Sequence, residues 1–280
     1  MGKARRLYHI LGDKGKCIIV PIDDSLISGP KGGLFDLQGK LHQIEMANPN
    51  AILTFPGSAS LIKQSSIPII LNLTASTVIG QHTNKVQVSS VEYAVSIGAD
   101  AVAVHLNLSS RYESEMLKVA GKISETCHKF GMPFMILAYP RRETIVDNSI
   151  VDDNYSEIKE SSNEKYTELV AHCVRVAYEM GADIIKTQYT GSRVSFQKVI
   201  SCAPNTPIVI AGGKEIETEA LLQMVEGAIK SGGAGVSIGR NVFNNQHSNT
   251  IISAIRKIVF DGFSAEQARI YYQELLLIDK

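Results

Sequence analysis

The stretch "EMGADIIKT", residues 179–187, contains the pattern that decides the fold of this chain. It consists of a helix end, a glycine and then a run of apolar residues. Two other segments repeat the same phrase, "SIGADAVAV" at 96–104 and "SGGAGVSIG" at 231–239. A glycine is a common stop signal for a helix, and the apolar run that follows has the length of a buried strand. The repetition therefore predicts helix–strand units along the chain.

Eight apolar runs of strand length recur in the sequence, with amphipathic segments between them. They lack a clean alternation of apolar and polar residues, which is typical of strands buried on both faces of a parallel sheet. The runs span 17–23, 51–56, 68–74, 101–107, 133–139, 183–188, 207–213 and 234–240. Eight such units favour a closed (β/α)8 barrel over an open doubly wound sheet. We therefore predict one α/β barrel domain over residues 1–280.

Two segments depart from this repeat. Residues 141–163 are polar and acidic and follow the fifth predicted strand. A loop of that length inside a compact domain is often functional, so we expect a flap over the barrel mouth, with surface decoration as the alternative. Residues 1–16 form a basic N-terminal extension that lacks the long apolar core and cleavage site of a secretory signal.

The composition argues against several functional classes. The chain has 280 residues, 44% of them hydrophobic, and its 28 basic residues balance 28 acidic ones. A formal net charge of zero gives no general affinity for nucleic acid or an anionic membrane, and no apolar run approaches the length of a membrane span. The four cysteines are far apart and form no CxxC pair, so we interpret them as free thiols of a cytoplasmic protein.

Lys186 is the most informative residue. The active site of such a barrel lies at the C-terminal ends of its strands, and Lys186 lies in the sixth strand-like run. A lysine walled by apolar residues loses hydration, which lowers its pKa toward neutrality. A neutral amine attacks carbonyl groups and forms a Schiff base, an electron sink for making or breaking an adjacent C–C bond. The alternatives are a structural ion pair with Asp23 or a charge that holds a substrate anion.

Tyr139 and Asp23, at the ends of the fifth and first strand-like runs, are candidates for proton transfer. The fifth strand adjoins the sixth, so Tyr139 can reach the same space as Lys186, and a nearby lysine would lower the pKa of the phenol. Asp23 can shuttle a proton or bind substrate hydroxyls. The alternatives are a core or interface aromatic for Tyr139 and a helix cap or loop acid for Asp23.

The loops after the last two predicted strands, "IAGGKE" and "SIGRNVF", are typical of a phosphate site. Glycines let backbone N–H groups point at an anion, and this is the usual phosphate position of such barrels. We assign to this cradle Gly212, Gly213, Lys214, Gly239 and Arg240. His105, at the end of the fourth strand, is a candidate for substrate binding. No histidine and carboxylate set with metal-ligand spacing stands out, so we expect neither a metal nor another cofactor.

Five motifs occur in an order that carries a family resemblance: "IIVPIDDSLISGPKGGL", "LAYPR", "IIKTQYTG", "IAGGK" and "SIGRNVF". Through them, residues 15–262 resemble the archaeal-type class I fructose-bisphosphate aldolases, more distantly related to deoxyribose-phosphate aldolase. The segments "ADAVAVHLNLSS" and "KTQYTG" look closest to the 2-amino-3,7-dideoxy-D-threo-hept-6-ulosonate synthase branch. The resemblance implies that Lys186 forms the Schiff base, Tyr139 is the general acid/base and Asp23 is its acidic partner. It also implies a homo-oligomer, often a decamer.

Three positions differ from the family pattern, and one of them is Ser192, where the family often has aspartate after "YTG". Asp24 stands where the family usually has histidine, and "YPRG" becomes "YPRR", which places Arg141 beside Arg142. A second carboxylate can bind an amine or hydroxyl of the other substrate, and an arginine pair can clamp a carboxylate or a second phosphate. These changes do not affect the proposed Schiff-base residues, but they leave the identity of the substrate undetermined.

The sequence therefore predicts a class I aldolase that acts on a phosphorylated ketose or dihydroxyacetone phosphate, together with an aldehyde. The branch resemblance favours a biosynthetic transaldol step with aspartate semialdehyde as acceptor, and cleavage of fructose 1,6-bisphosphate is the alternative. Two further hypotheses come from other classes. One is a phosphate-binding barrel isomerase or lyase without covalent chemistry, and the other is a non-catalytic sugar-phosphate-binding protein.

Overall fold

The structure is a computed structural model that describes residues 2–62, 66–147 and 149–278. Its strands are β1 (Cys17–Pro21), β2 (Ala51–Thr54), β3 (Ile69–Asn72), β4 (Thr74–Ala75), β5 (Val86–Gln87), β6 (Ala101–Leu108), β7 (Phe134–Pro140), β8 (Arg142–Val146), β9 (Ser149–Asp153), β10 (Ile184–Thr187), β11 (Ile208–Ala211) and β12 (Gly235–Ser237). Its α-helices are α1 (Lys3–Leu11), α2 (Asp24–Ser28), α3 (Leu37–Met46), α4 (Pro56–Ala59), α5 (Val91–Ser96), α6 (Glu113–Phe130), α7 (Ser156–Ser161), α8 (Asn163–Glu179), α9 (Arg193–Ile200), α10 (Thr218–Lys230), α11 (Arg240–Phe243), α12 (Ser248–Asp261) and α13 (Ala265–Ile278). Within the described ranges, no helix is both long and apolar enough to cross a membrane.

Eight parallel strands close into a barrel in the order β1-β2-β3-β6-β7-β10-β11-β12, and β12 pairs again with β1. Each of the eight strand-like runs corresponds to one barrel strand, and helices separate successive strands along the chain. The closure confirms the predicted (β/α)8 barrel and excludes the open sheet. Several strands end before the predicted run ends, because the chain leaves the sheet there and carries polar residues at the barrel mouth.

The alternation of side chains along β10 directs Lys186 into the barrel. Ile184 belongs to the cluster that fills the barrel interior, whereas Ile185 belongs to the outer core between the barrel and its helices. Successive side chains of a strand point to opposite faces, so Lys186 faces the same interior as Ile184, one layer nearer the mouth. Lys186 is in register with Leu137 of β7, and Tyr139 of the interior cluster therefore lies one layer further toward the mouth.

The N-terminal extension folds as α1 and packs against the opposite end of the barrel. Ile10 of this helix is fully buried in the interior cluster together with Cys17 of β1. The Nζ atom of Lys3 lies 2.9 Å from Oδ2 of Asp183, which precedes β10. Because α1 covers this end, we expect ligands to enter at the C-terminal ends of the strands.

Residues 141–163 have more regular structure than their polar composition suggests. β8 and β9 pair as an antiparallel hairpin in which Thr144 is opposite Val151 and Ile145 is opposite Ile150. The helix α7 follows this hairpin. β-branched residues favour a pleated conformation even where charged neighbours make the segment polar overall. The segment is thus not the irregular loop that the sequence predicted, and whether it moves as a flap stays a prediction.

Candidate active site

Lys186 lies at the C-terminal end of β10 with only 7% of its surface exposed. Burial lowers the pKa of Lys186 to about 8, although the nearby Asp23 carboxylate opposes the fall. About a tenth of such an amine is neutral at pH 7, and a neutral amine is the form that attacks a carbonyl carbon. The lysine thus has the protonation behaviour that Schiff-base chemistry requires.

Asp23 follows β1 and is positioned by hydrogen bonds from the neighbouring strands. Asn72 Nδ2 donates to Asp23 Oδ2 over 2.8 Å and lies 3.5 Å from His105 Nδ1. Thr74 orients both partners, because its backbone N–H donates to Asn72 Oδ1 and its hydroxyl accepts from the His105 backbone N–H. Asp23 precedes α2, but its side chain makes no capping hydrogen bond, which argues against the helix-cap alternative. Its carboxylate instead interacts with the charge of Lys186.

The environment of this carboxylate favours proton exchange. Burial raises the pKa of Asp23, while the charge of Lys186 and the hydrogen bond from Asn72 oppose the rise. Burial also holds the pKa of His105 well below its ordinary value, and the nearby lysines add to this effect. His105 is therefore a neutral imidazole that can bind a substrate hydroxyl without adding charge.

Tyr139 lies at the mouth end of β7 and is 6% exposed. The guanidinium carbon of Arg141 lies 5.7 Å from the centroid of its ring. Burial raises the pKa of Tyr139, and the opposing charge of Arg141 does not cancel this effect. The expected lowering of this pKa by a lysine is therefore wrong. The phenol stays protonated at neutral pH, so Tyr139 is suited to donate a proton rather than to accept one.

The loops after β11 and β12 have backbone geometry that only glycine fits well. Gly213 has φ +67°, and a Cβ atom on Gly212 would lie 2.7 Å from Ile238 Cγ2. A Cβ atom on Gly239 would lie 3.1 Å from the carbonyl oxygen of Pro21. Without side chains at these positions, the backbone is open to close approach by an anion.

Asn241 joins the two glycine loops and was missed in the sequence. Its Nδ2 donates to the carbonyl oxygens of Gly212 and Lys214, each over 3.1 Å, and its Oδ1 accepts from Ile216 N–H over 2.9 Å. The signal was available, since Asn241 directly follows Arg240 in "SIGRNVF", but an asparagine near a helix start is usually interpreted as a cap. Asn241 holds the first loop in place from the second.

The two cations assigned to the phosphate cradle differ in position. Arg240 begins α11, and its charge acts on Lys186, Tyr139 and His82 around the barrel mouth. The side chain of Lys214 is exposed to solvent. Arg240 is therefore the better placed of the two to contribute charge to a bound phosphate.

A second charged group lies at the mouth and comprises Arg141 together with Lys85 and His82, two residues that the sequence analysis missed. Lys85 is 3% exposed, and its Nζ atom has no hydrogen-bond partner among the residues that the structure describes. Arg141 Nη1 lies 3.0 Å from His82 Nε2, and its Nε donates to Asn154 Oδ1 over 2.6 Å. Burial lowers the pKa of Lys85 to about 7 and that of His82 to about 3. His82 is thus neutral, and the charge of this group resides on the lysine and the arginine.

The structure separates the two adjacent arginines. Arg142 Nε donates to Asp153 Oδ2 over 2.8 Å across the β8–β9 hairpin, and its guanidinium carbon lies 4.6 Å from the centroid of the Tyr155 ring. The contacts of Arg142 are therefore within the hairpin segment. The interpretation of Arg141 and Arg142 as a pair that clamps a substrate anion is wrong for Arg142. Arg141 alone is directed toward the barrel mouth.

Asp24, at the position where the family usually has histidine, is partly exposed at the start of α2. Its Oδ1 accepts a hydrogen bond from Ser28 Oγ over 3.2 Å. Its charge acts on both Lys186 and Lys85. Asp24 therefore adds negative charge beside both amines, where it can bind an amine or a hydroxyl.

Within the described ranges, buried side-chain atoms without a hydrogen-bond partner concentrate at one end of the barrel. They are His82 Nδ1, Lys85 Nζ, Asn107 Oδ1 and Ser237 Oγ. Buried polar groups in folded proteins are normally hydrogen-bonded, so this concentration indicates a site that binds a polar ligand. Among the same residues, no group of three or more His, Cys, Asp or Glu side chains is placed to hold a metal ion.

A buried and partly neutral amine at the mouth of a closed barrel is suited to covalent chemistry with carbonyl groups. Comparison with known proteins leads to the same class of chemistry. Residues 17–245 match the model of the DeoC/LacD family aldolases, and the chain belongs to this family. It is an enzyme that forms or cleaves a C–C bond, in a family whose class I members work through a lysine Schiff base.

Individual relatives cover nearly the whole chain. The chain is 34% identical over 275 residues to 2-amino-3,7-dideoxy-D-threo-hept-6-ulosonate synthase 1 of Archaeoglobus fulgidus, with 97% of this chain and 96% of that protein covered. It is 29% identical over 271 residues to 2-amino-4,5-dihydroxy-6-oxo-7-(phosphonooxy)heptanoate synthase of Streptomyces griseus, covering 95% and 92%. An archaeal fructose-1,6-bisphosphate aldolase, solved with its catalytic lysine covalently bound to the carbinolamine intermediate, matches with TM-score 0.79 and 27% identity over 92% of this chain and 99% of that one. These similarities confirm the predicted aldolase family.

Proposed function

We propose that Lys186 is the Schiff-base lysine and that the enzyme joins a carbon unit from a phosphorylated ketose, or from dihydroxyacetone phosphate, to an aldehyde. The observation that carries this proposal is the burial of Lys186 inside the barrel next to Asp23, with a pKa of about 8. An ordinary exposed lysine is almost fully protonated at pH 7 and a poor nucleophile.

The proposed reaction begins with attack of the neutral Lys186 amine on the ketone carbon. The carbinolamine then loses water and becomes an iminium ion. With a ketose donor, the hydroxyl on the β-carbon of the iminium loses its proton, the bond between the α- and β-carbons breaks, the β-carbon fragment leaves as an aldehyde, and the electron pair moves to the iminium nitrogen to give an enamine. With dihydroxyacetone phosphate, loss of a proton from carbon 3 produces the same enamine. The enamine attacks the acceptor aldehyde, whose oxygen gains a proton, and water releases the product from Lys186.

Two neighbouring residues supply the proton transfers of this scheme. Asp23 takes the proton that Lys186 loses, returns it to the carbinolamine hydroxyl as water leaves, and then accepts the proton that the donor loses from its hydroxyl or from carbon 3, which its raised pKa and its interaction with Lys186 support. Tyr139 donates its phenolic proton to the oxygen of the acceptor aldehyde as the new bond forms. A protonated phenol suits this addition step, because addition requires a proton donor at that oxygen.

The remaining assigned residues bind the substrates. The phosphate occupies the loops of Gly212, Gly213 and Gly239, with Arg240 and more weakly Lys214 contributing positive charge. His105 and Asp24 bind hydroxyl or amine groups between the phosphate and the acceptor. Arg141 contacts the acceptor from the opposite side of the mouth, which its position over Tyr139 supports.

For the acceptor we propose aspartate semialdehyde, in a transaldol step. Two relatives have names that describe products with a 2-amino group on a seven-carbon acid. The carboxylates and cations around Lys186 and Lys85 suit an aldehyde that also carries an amino acid end. Cleavage of fructose 1,6-bisphosphate is the second candidate, because the similar solved structure is an aldolase of that substrate.

Reductive trapping tests the covalent step. The protein is incubated with dihydroxyacetone phosphate or with fructose 1,6-bisphosphate, reduced with borohydride and digested for mass spectrometry. We expect a reduced adduct on the peptide that contains Lys186. If neither donor nor a broader panel of ketose phosphates forms an adduct, the covalent mechanism fails and the non-covalent isomerase or lyase becomes the better hypothesis.

We also propose that the chain works in the cytoplasm as a homo-oligomer, with a decamer as the specific expectation. All four cysteines are free. Large apolar side chains such as Ile79, 97% exposed, and Phe35, 79% exposed, are available for contacts between subunits. Light scattering after size exclusion measures the subunit count, and a monomer would contradict the proposal.

The β8–β9 hairpin is proposed to cover the bound substrate. Arg141, which precedes the hairpin, contacts His82 and Asn154 at the mouth. Limited proteolysis with and without dihydroxyacetone phosphate tests this, and unchanged cleavage between residues 141 and 163 would argue against a cover.

A further inference from the structure

Lys85 is a buried cation whose position is fixed from two sides. It directly precedes β5, whose residues Val86 and Gln87 pair with β4. On its other side, the carbonyl oxygen of Thr83 accepts a hydrogen bond from Asn107 Nδ2 of β6 over 2.9 Å. The backbone on both sides of Lys85 is thus anchored, to β4 and to the barrel wall, which restricts where its amine can lie.

This amine lies within electrostatic reach of the residues around Lys186. Its charge acts on Asp23 and His105, and the charge of Lys186 acts on the same two residues. Asp23 and His105 are therefore within electrostatic reach of both lysines. The Nζ atom of Lys85 is nevertheless buried, and no hydrogen-bond partner for it lies in residues 2–62, 66–147 or 149–278. Burial of an unpaired ammonium group destabilises a protein, unless a ligand of opposite charge binds to it.

We propose that Lys85, together with Arg141, binds the carboxylate of the acceptor aldehyde, at a subsite separate from the glycine loops that bind the donor phosphate. This inference rests on the proposed function, because it assigns one end of the second substrate. It makes Lys85 a specificity-determining residue of the reaction.

The charges around Lys85 favour a carboxylate over a second phosphate. Asp23, Asp24 and Asp152 all act electrostatically on Lys85. These carboxylates repel a phosphate dianion about twice as strongly as a singly charged carboxylate at the same place. They also offer acceptors for an ammonium group, so an α-amino acid end finds both signs of charge in this subsite.

The neighbours of Lys85 also explain why this amine is not a second nucleophile in the scheme. The positive charge of Arg141 acts on Lys85 and lowers its pKa. The neighbouring His82 has a pKa of about 3, so it is neutral and adds no further charge. A bound carboxylate supplies the missing partner and keeps Lys85 protonated, which makes the amine an anchor and not an attacking group.

The test compares variants with an acceptor and its neutral analogue. Lys85→Met, Lys85→Arg and wild type are assayed with aspartate semialdehyde and with its α-methyl ester, using dihydroxyacetone phosphate or a ketose phosphate as donor. Lys122→Met is the matched control, since Lys122 is exposed on α6. We expect wild type to prefer the free acid at least tenfold in kcat/KM, mainly through KM. Lys85→Met should lose that preference, while Lys85→Arg keeps part of it and Lys122→Met keeps all of it.

Borohydride trapping with the donor alone distinguishes a failure of the Lys85 subsite from a failure of the proposed Schiff-base function. Retained trapping in Lys85→Met, with loss of the acid preference, supports the subsite. An unchanged acid preference in Lys85→Met overturns it, and so does a loss of donor trapping, because Lys85 would then serve the Schiff-base step. If wild type itself forms no adduct, the proposed function fails first, and the subsite is overturned with it. Lys85→Arg retains the buried cation, so the comparison holds even if the methionine variant folds poorly.

Discussion

Lys186 and Lys85 are both buried lysines at the same end of the barrel, but the chain positions them differently. Lys186 belongs to a regular strand, whereas Lys85 stands between two short strands outside the barrel wall. Burial lowers the pKa of both amines, to about 8 for Lys186 and about 7 for Lys85. The main charge that acts on Lys186 is the carboxylate of Asp23, whereas for Lys85 it is the guanidinium of Arg141.

The comparison shows that burial alone does not assign a role to a lysine. An amine beside a carboxylate can give up its proton and recover it within the site, which Schiff-base formation and hydrolysis require. An amine whose strongest charged neighbour is another cation is less able to exchange its proton with a carboxylate and is better suited to bind an anionic ligand.

Replacing the proposed nucleophile should have the largest effect. Lys186→Ala removes the amine that forms the covalent intermediate, so we expect turnover to fall by about 10⁴-fold or more and the borohydride adduct to vanish. Steady-state assays and adduct mapping measure both, with the exposed Lys122→Ala as the control. An adduct on Lys85 in the wild-type protein would reverse the two roles and refute the comparison.

Removing the proton donor should have the next largest effect. Tyr139→Phe keeps the ring that packs under Arg141 but removes the phenolic proton, so kcat for C–C bond formation should fall by about 10²- to 10³-fold. Adduct formation with the donor alone should change much less, because Lys186 and Asp23 remain. A parallel loss of trapping would show that Tyr139 acts already at the carbinolamine stage.

The pH dependence of trapping tests the state of Lys186. Its pKa of about 8 lies below that of a free lysine, so the neutral fraction of the amine increases as pH rises through about 8. The initial rate of adduct formation should therefore increase about tenfold between pH 7 and pH 9 and then level off. Rapid-quench trapping across this range measures it. A rate that continues to climb to pH 10.5 would mean an ordinary lysine.

Lys85→Met should stabilise the ligand-free protein. Folding lowers the pKa of Lys85 from its ordinary value of 10.5 to about 7, so the folded state binds fewer protons than the unfolded state between these values. The cost of burying this charge is fully present below about pH 7 and disappears as pH rises toward 10.5. We expect a gain of about 2 kcal/mol or more at pH 6, or roughly 4–8 °C in Tm, that fades by pH 10.

Thermal melts of wild type, Lys85→Met and Lys122→Met across this pH range check the stability prediction. Lys122 is exposed, so its variant should melt within about 1 °C of wild type at every pH. A destabilised Lys85→Met protein would mean that the amine has a structural partner, and the contrast between the two lysines would lose its physical basis.

The parts of the site that lie on strands could be predicted from the sequence. Lys186, Tyr139 and Asp23 each stand at the end of an apolar run, and parallel strands of a barrel bring such ends to one edge. The phosphate loops were recognisable for a similar reason, since Gly212 and Gly239 mark backbone that must be approached closely. These signals are local in the sequence. They predict positions in space because the C-terminal ends of all barrel strands lie at the same end of the barrel.

The parts that depend on contacts between distant segments could not be predicted. Lys85 and His82 lie in a segment without periodicity, and their relation to Arg141 arises only when that segment lies against β6. Burial reversed the expected pKa shift of Tyr139, because desolvation depends on the surrounding atoms and not on the sequence neighbours. Arg142 looked like the partner of Arg141, but its pairing with Asp153 across the hairpin directs it elsewhere.

The eight strands, the closed barrel and the amine at the end of β10 follow from the amino-acid pattern, because repeated glycine-bounded helix–strand units are a local property of the chain. The pairing of charges, Asp23 with Lys186 and Arg141 with Lys85, follows from the folded arrangement alone. The physical reason is that electrostatic energy and desolvation depend on distance in three dimensions, and residues far apart along the chain become neighbours only after the barrel has closed.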